Sequence, residues 1–312
     1  MKKITSIAII LAAILWSETG FSQTMFTISG KWERQEKVKE ITLSEINLGY
    51  LEQVATTRMQ DDGTFTFAYY PPKEGYYVIG LNHSRAKKNN YVFYFKSGDH
   101  LNLVVNDSSY TLVGENTKEN IAIAAWHDYV LPLERIDSYS SEKAFSDYFL
   151  VLEAKTKQPY TVESTGNQSF EKSFAKFRNF DLMDNAVRFT KRRNIGNPED
   201  KDFIDYYRTL RVKDLVSNTD VLIYSHIDIL LNVMQLENRL NGQSVRNSVE
   251  SLIDMAKNDT IRGELFLSQI LADVKEVRTM KKVNAKYEKY IVAENQKARF
   301  EQDVKRIERL HR

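Results

Sequence analysis

Apolar and polar residues alternate with a period of two through the first third of the chain. Phe65, Phe67 and Tyr69 fall on one face of an extended segment, with Thr64, Thr66 and Ala68 on the other. Tyr77, Ile79 and Leu81 repeat the pattern, then Tyr91, Phe93 and Phe95, then Leu101, Leu103 and Val105. Such alternation predicts strands with one buried face. Earlier strands are expected over 26–32, 38–46 and 51–59. Turn residues separate the runs at Asp62-Gly63, Pro71-Pro72, Ser97-Gly98-Asp99 and Asn106-Asp107-Ser108. Asp-Gly is a strong hairpin signal, because the tight turn needs a positive φ that glycine adopts without strain. About eight short strands at close spacing predict an antiparallel β-sandwich.

After Gly114 the period becomes helical. Phe145, Tyr148, Phe149 and Leu152 fall at i, i+3, i+4 and i+7. Phe170, Phe174 and Phe177 share a face, as do Phe203, Tyr207 and Leu210. Val245, Val249, Leu252, Ile253 and Ala256 form the cleanest amphipathic stripe. Asn197-Pro198-Glu199-Asp200 suits a helix start, with a cap, a first-turn proline and acids at the positive end of the dipole. Pro132 should end or kink a helix that begins near Glu119. Residues 281–312 hold ten Lys/Arg against five Asp/Glu. They read as a basic, solvated helix leading out of the domain, with a thin seam of Val304, Ile307 and Leu310. The expected architecture is α+β in two domains. An antiparallel β-sandwich over 24–115 precedes an all-α helical domain over 116–280, and the basic C-terminal helix follows over 281–312.

The first residues change the picture of where the chain works. Lys2 and Lys3 precede an apolar run from Ile7 to Trp16, and small residues stand at Gly20 and Ser22. This is the layout of a secretory signal peptide over 1–22, cleaved after Ser22. The run is too short for a bilayer, which needs about 20 apolar residues. The region from Val221 to Met234 comes closest to a later span, but Asp228 and Asn232 interrupt it. The expected location is the periplasm or cell envelope, with no transmembrane segment. A formal charge of +2 gives no general reason to expect nucleic acid as a partner. The chain has no cysteine, which excludes a disulfide staple and thiolate chemistry.

A search for chemistry leaves few candidates. His83, His100, His127, His226 and His311 are scattered, and none lies three or four residues from another. His226 and Asp228 point to different helix faces, and the adjacent His127-Asp128 pair is equally unsuited to act together. No metal or cofactor site and no catalytic residue is expected, and the chain reads as non-enzymatic. The glycines form no phosphate loop and no nucleophile elbow. Tyr69-Tyr70-Pro71-Pro72 and Tyr76-Tyr77 flank a loop on the sandwich. Tyr70 and Tyr76 are the candidate ligand-facing aromatics, able to stack on sugar rings. Asp259-Thr260-Ile261 resembles the O-glycosylation acceptor of Bacteroidota and also suits a helix cap.

The strand pattern carries a family resemblance. Phe26-Thr27-Ile28-Ser29-Gly30, Asp62-Gly63-Thr64-Phe65-Thr66-Phe67, Gly75-Tyr76-Tyr77, Gly98-Asp99-His100-Leu101-Asn102-Leu103 and Val113-Gly114 form its elements. Together they resemble the N-terminal domain of unknown function of Bacteroidota thioredoxin-like thiol–disulfide oxidoreductases. In that family a helical segment follows, then a thioredoxin-like domain with a Cys-x-x-Cys pair. The resemblance implies address and architecture, and no family catalytic residue has a counterpart in this sequence. Three functions are expected on this basis. The first is a non-catalytic envelope binding or accessory module of the thiol–disulfide interchange family, with an envelope protein as partner. The second is the truncated front of a periplasmic oxidoreductase. The third is a glycan-binding module.

Overall fold

The structure, a computed structural model, describes residues 24–33, 39–81, 89–107, 109–135, 142–158, 160–193, 205–216, 226–242 and 249–310. The expected leader over 1–22, His83, Lys87-Lys88, the expected helix start at Asn197-Pro198, Phe203, Val245 and His311 lie outside them. So does the side chain of Phe145.

The fold is α+β, with two largely antiparallel sheets followed by helices. The strands are β1 (Phe26–Trp32), β2 (Glu40–Asn47), β3 (Tyr50–Arg58), β4 (Thr64–Tyr69), β5 (Gly75–Gly80), β6 (Asn90–Phe95), β7 (His100–Val105) and β8 (Tyr110–Leu112). One sheet has the order β4-β1-β7-β8 and the other β3-β2-β5-β6. The strand pairs are antiparallel except β1 with β7, which run parallel with Thr27 opposite His100. Alternation assigns faces but not neighbours, so this pairing had no local signal. The Asp62-Gly63 turn has the expected positive φ at glycine but joins β3 to β4 in different sheets, so it closes no hairpin.

The inward faces meet as expected. Phe26, Ile28, Phe65, Phe67, Tyr77, Ile79, Phe93, Phe95, Leu101 and Leu103 share one core cluster. Phe26 stacks on Phe95 at 4.1 Å and meets Tyr77 edge-on at 5.3 Å. Burying a large side chain of this kind contributes about 1.5–3 kcal/mol. Gly30 is required here, because a Cβ at that position would lie 2.2 Å from the Phe65 ring.

The helices are α1 (Lys118–Glu134), α2 (Glu142–Lys157), α3 (Gln168–Arg193), α4 (Asp205–Thr209), α5 (Val212–Leu215), α6 (His226–Leu240), α7 (Val249–Met255) and α8 (Asp259–Leu265). A π-helical turn (Phe266–Ile270) leads on to α9 (Val277–Tyr287) and α10 (Glu294–Arg309). Thr117 caps α1 by accepting from the Asn120 N–H. Pro132 sits in the last turn of α1, and the helix ends two residues later. Phe170, Phe174, Phe177 and Phe180 of α3 turn into the helical core. None of the described helices is long and apolar enough to cross a membrane.

Two findings correct the expected layout. The outer faces of β5 and β6 are not solvated, because Tyr76 and Tyr94 belong to the helical core. Tyr76 stacks on Phe177 at 5.3 Å, and Tyr94 meets Phe170 edge-on at 5.0 Å. The C-terminal basic segment is also not a lone helix leading out. It breaks at the turn Glu288–Tyr290, and α10 folds back with Ile307 and Gln296 fully buried. Its anchors are polar. Arg299 donates to both carboxylate oxygens of the buried Glu264, at 2.9 and 2.8 Å. Gln296 donates to the Thr260 carbonyl and accepts from the Val292 and Ala293 N–H groups. Gly263 allows this approach, since a Cβ there would lie 2.4 Å from the Tyr290 carbonyl oxygen.

Candidate functional site: the seam between β8 and α1

Helix α1 crosses the open side of the sandwich, between the edge strands β6 and β8. At its first turn, Asn120 is fully buried and treats β6 as a neighbouring strand would. Its amide accepts from the Tyr94 N–H at 2.8 Å and donates to the Tyr94 carbonyl at 2.9 Å. Glu119 beside it binds Lys96 at 2.8 Å. These charge-assisted bonds hold the Glu119 carboxylate below its usual range, against the burial that opposes them.

Farther along α1, His127 meets the β7–β8 hairpin. Its ring stacks on Tyr110 at 4.9 Å and lies edge-on to Tyr91 at 5.8 Å. Nε2 is 2.8 Å from the Ser109 hydroxyl oxygen, and Nδ1 is 3.9 Å from a Glu134 carboxylate oxygen. The order hydroxyl, imidazole, carboxylate is that of an activated serine. The distances decide against it as it stands. The Glu134 contact exceeds hydrogen-bonding range. The Ser109 N–H donates to Asn106 Oδ1 at 2.9 Å and so does not face an oxyanion position. The arrangement is a latch that fixes the hairpin to α1, worth about 1 kcal/mol for the hydroxyl bond.

Between the latch and the far end of β8 lies an open concavity of ≈ 420 Å³. Tyr110, Leu112, Ile121, Ala124, Ala125 and Asp128 line it, with Ser109 and Asn106 at the latch end. Ile121 is 52% exposed and lines it from α1. Asp128 is exposed and has no basic partner among the described residues. Sequence reading missed this site because Ser109 and His127 meet only through the fold.

The remaining candidates separate clearly. Tyr70 is 52% exposed, whereas Tyr76 is 6% exposed, so Tyr76 is not ligand-facing. Its hydroxyl lies 3.2 Å from the Ser173 hydroxyl, and burial pushes its ionisation up. The Pro71-Pro72 connection crosses from β4 in one sheet to β5 in the other, and the helices cover Tyr76 on β5. His100 Nδ1 lies 2.6 Å from the Thr27 hydroxyl oxygen across the parallel pair. His226 is fully buried at the start of α6. Asn258, not Asp259, caps α8, accepting from the Thr260 N–H at 2.7 Å. Among the described residues no group of three or more His, Asp or Glu side chains is placed to hold a metal ion. No protein-family model matches the chain, and no curated protein matches it.

Proposed function

We propose that this chain is an exported cell-envelope module that binds a partner protein and has no chemistry of its own. The observation that carries this reading is the concavity between β8 and α1. It has an exposed aliphatic residue, a small-residue floor and an unpaired carboxylate, beside a serine–histidine contact too loosely built for catalysis. Small polar-rimmed apolar depressions of this kind suit recognition. The basic n-region, short apolar run and small residues before Gln23 support the envelope address. The family resemblance supports an accessory role beside thiol–disulfide interchange. Glycan binding is less well supported, since one of its two tyrosines is covered.

The test is photo-crosslinking in the source cell, with a benzophenone amino acid at Ile121 and a control at exposed Leu150. The expected result is a discrete adduct in the envelope fraction from Ile121 alone, on a chain whose mass begins at Gln23. Cytosolic retention with the leader attached would refute the address. Equal labelling from both positions would refute the site. A larger native mass with titratable thiols would favour the oxidoreductase reading instead.

A further inference from the structure

The hydrogen-bond phase of β8 says what kind of partner the concavity fits. The Asn106 N–H bonds to the Ser109 carbonyl at 2.9 Å, and the Val113 N–H to the Asn102 carbonyl at 3.0 Å. Bonded and non-bonded pairs alternate along an antiparallel ladder. Thr111 is therefore the bonded partner of Val104. Tyr110 and Leu112 stand opposite Val105 and Leu103 as non-bonded pairs. Their N–H and C=O groups project from the free edge, away from β7, where the Tyr110 carbonyl accepts a long contact from the Ser109 hydroxyl at 3.5 Å.

Proteins usually blunt such an edge with a lysine, a proline or a cover. The β6 edge has its cover in Asn120. The β8 edge has none of these devices: its residues are Tyr110, Thr111 and Leu112, and the concavity lies open beside them. Ala124 and Ala125 present small side chains there, which lets a backbone approach closely. Ile121 and Leu112 offer apolar contact on one side. Asp128 sets the charge at the latch end.

We infer that β8 and α1 together receive an extended peptide segment by strand addition, with aliphatic residues at alternate positions and a basic side chain for Asp128. This rests on the binding-module reading and names its partner class. Main-chain bonds would supply affinity, while the apolar floor and the carboxylate supply selectivity. With three residues in β8, the contact engages about two residues of ladder, so binding is expected to be weak and fast.

The experiment uses the full mature chain, isotope-labelled, with two probes: Ac-Lys-Thr-Val-Thr-Val-Thr-NH2 and Ac-Thr-Val-Thr-Val-Thr-Lys-NH2. One of the two should bind saturably, and which one reports strand direction. On binding, amide exchange should slow at Tyr110 and Leu112 but not at Thr111, which is already bonded to β7. N-methylation of the valine amides should abolish binding. Asp128→Lys, an exposed change, should weaken it about five- to tenfold, and Ile121→Lys likewise. Binding that survives N-methylation, or that leaves Tyr110 and Leu112 exchange unchanged, would overturn strand addition. If Ile121 crosslinks in cells while both peptides fail, the strand inference falls and the binding-module reading stands. If neither occurs, both fall.

Discussion

Among the described residues, His226 has no hydrogen-bond partner for either of its buried ring nitrogens. Its ring meets Phe180 edge-on at 4.8 Å, and burial pushes its ionisation down to about 4 from an ordinary 6.5. An unfolded chain takes up a proton at that position below pH 6.5, whereas the folded chain resists until about 4. Stability contributed here is intact above pH 6.5 and is lost as the pH falls through that window, on the order of 3 kcal/mol in all. Urea titrations at steps between pH 7 and 4 should show this slope, and His226→Leu should flatten it. An unchanged slope in the variant would place the acid sensitivity elsewhere. Glu264 illustrates the opposite case of a buried carboxylate with partners, since Arg299 and Gln296 both donate to it. Burial still raises the Glu264 ionisation, so the pair serves to fix α10 in place more than to add net stability.

At the scale of elements, Asn120 shows how a helix can finish a sheet. Removing its amide strands the Tyr94 N–H and C=O in a buried setting, at about 1–3 kcal/mol for each unsatisfied group. Asn120→Ala is therefore expected to lower stability by about 2–4 kcal/mol and to speed amide exchange at Tyr94. Wild-type exchange at that amide would show that water or another group replaces the side chain. Much of the strand layout was legible from alternation, because one face of each strand is buried and the other mostly is not. The outer faces of β5 and β6 were written in the sequence too, as the nearly continuous apolar runs Tyr76-Tyr77-Val78-Ile79 and Tyr91-Val92-Phe93-Tyr94-Phe95. Such runs mark strands covered on both sides. Reading them by period two alone left Tyr76 facing outward. The fold-back of α10 was not legible, because its anchors Gln296 and Arg299 are polar and periodicity counts only apolar positions. The Ser109–His127 latch was hidden for another reason: it joins residues on different elements.

For the whole molecule, the aromatic layer of Tyr76, Tyr94, Phe170 and Phe177 joins sandwich and helices in one packed body. Arg299 of α10 also reaches the β2–β3 hairpin, lying 4.1 Å over the Tyr50 ring. The two parts should therefore unfold together. Tyr76→Ala is expected to cost about 3–5 kcal/mol, as for other buried aromatics. It should shift the near- and far-ultraviolet dichroism transitions by the same amount. Two separated transitions would mean that the halves are thermodynamically independent. The sequence boundary near residue 115 thus marks a change of secondary structure, and the packing crosses it.

The parallel pairing of β1 with β7 sets an order of events in time. Thr27 and His100 are 73 residues apart, so β1 cannot gain its second neighbour until a long stretch of chain has been brought round. Helices such as α3 close through contacts a few residues apart and form early, whereas non-local pairing of this kind is slow. During that interval β1 is flanked on one side only, by β4, and Phe26 waits for Phe95. The first of the described strands is thus expected to be among the last enclosed.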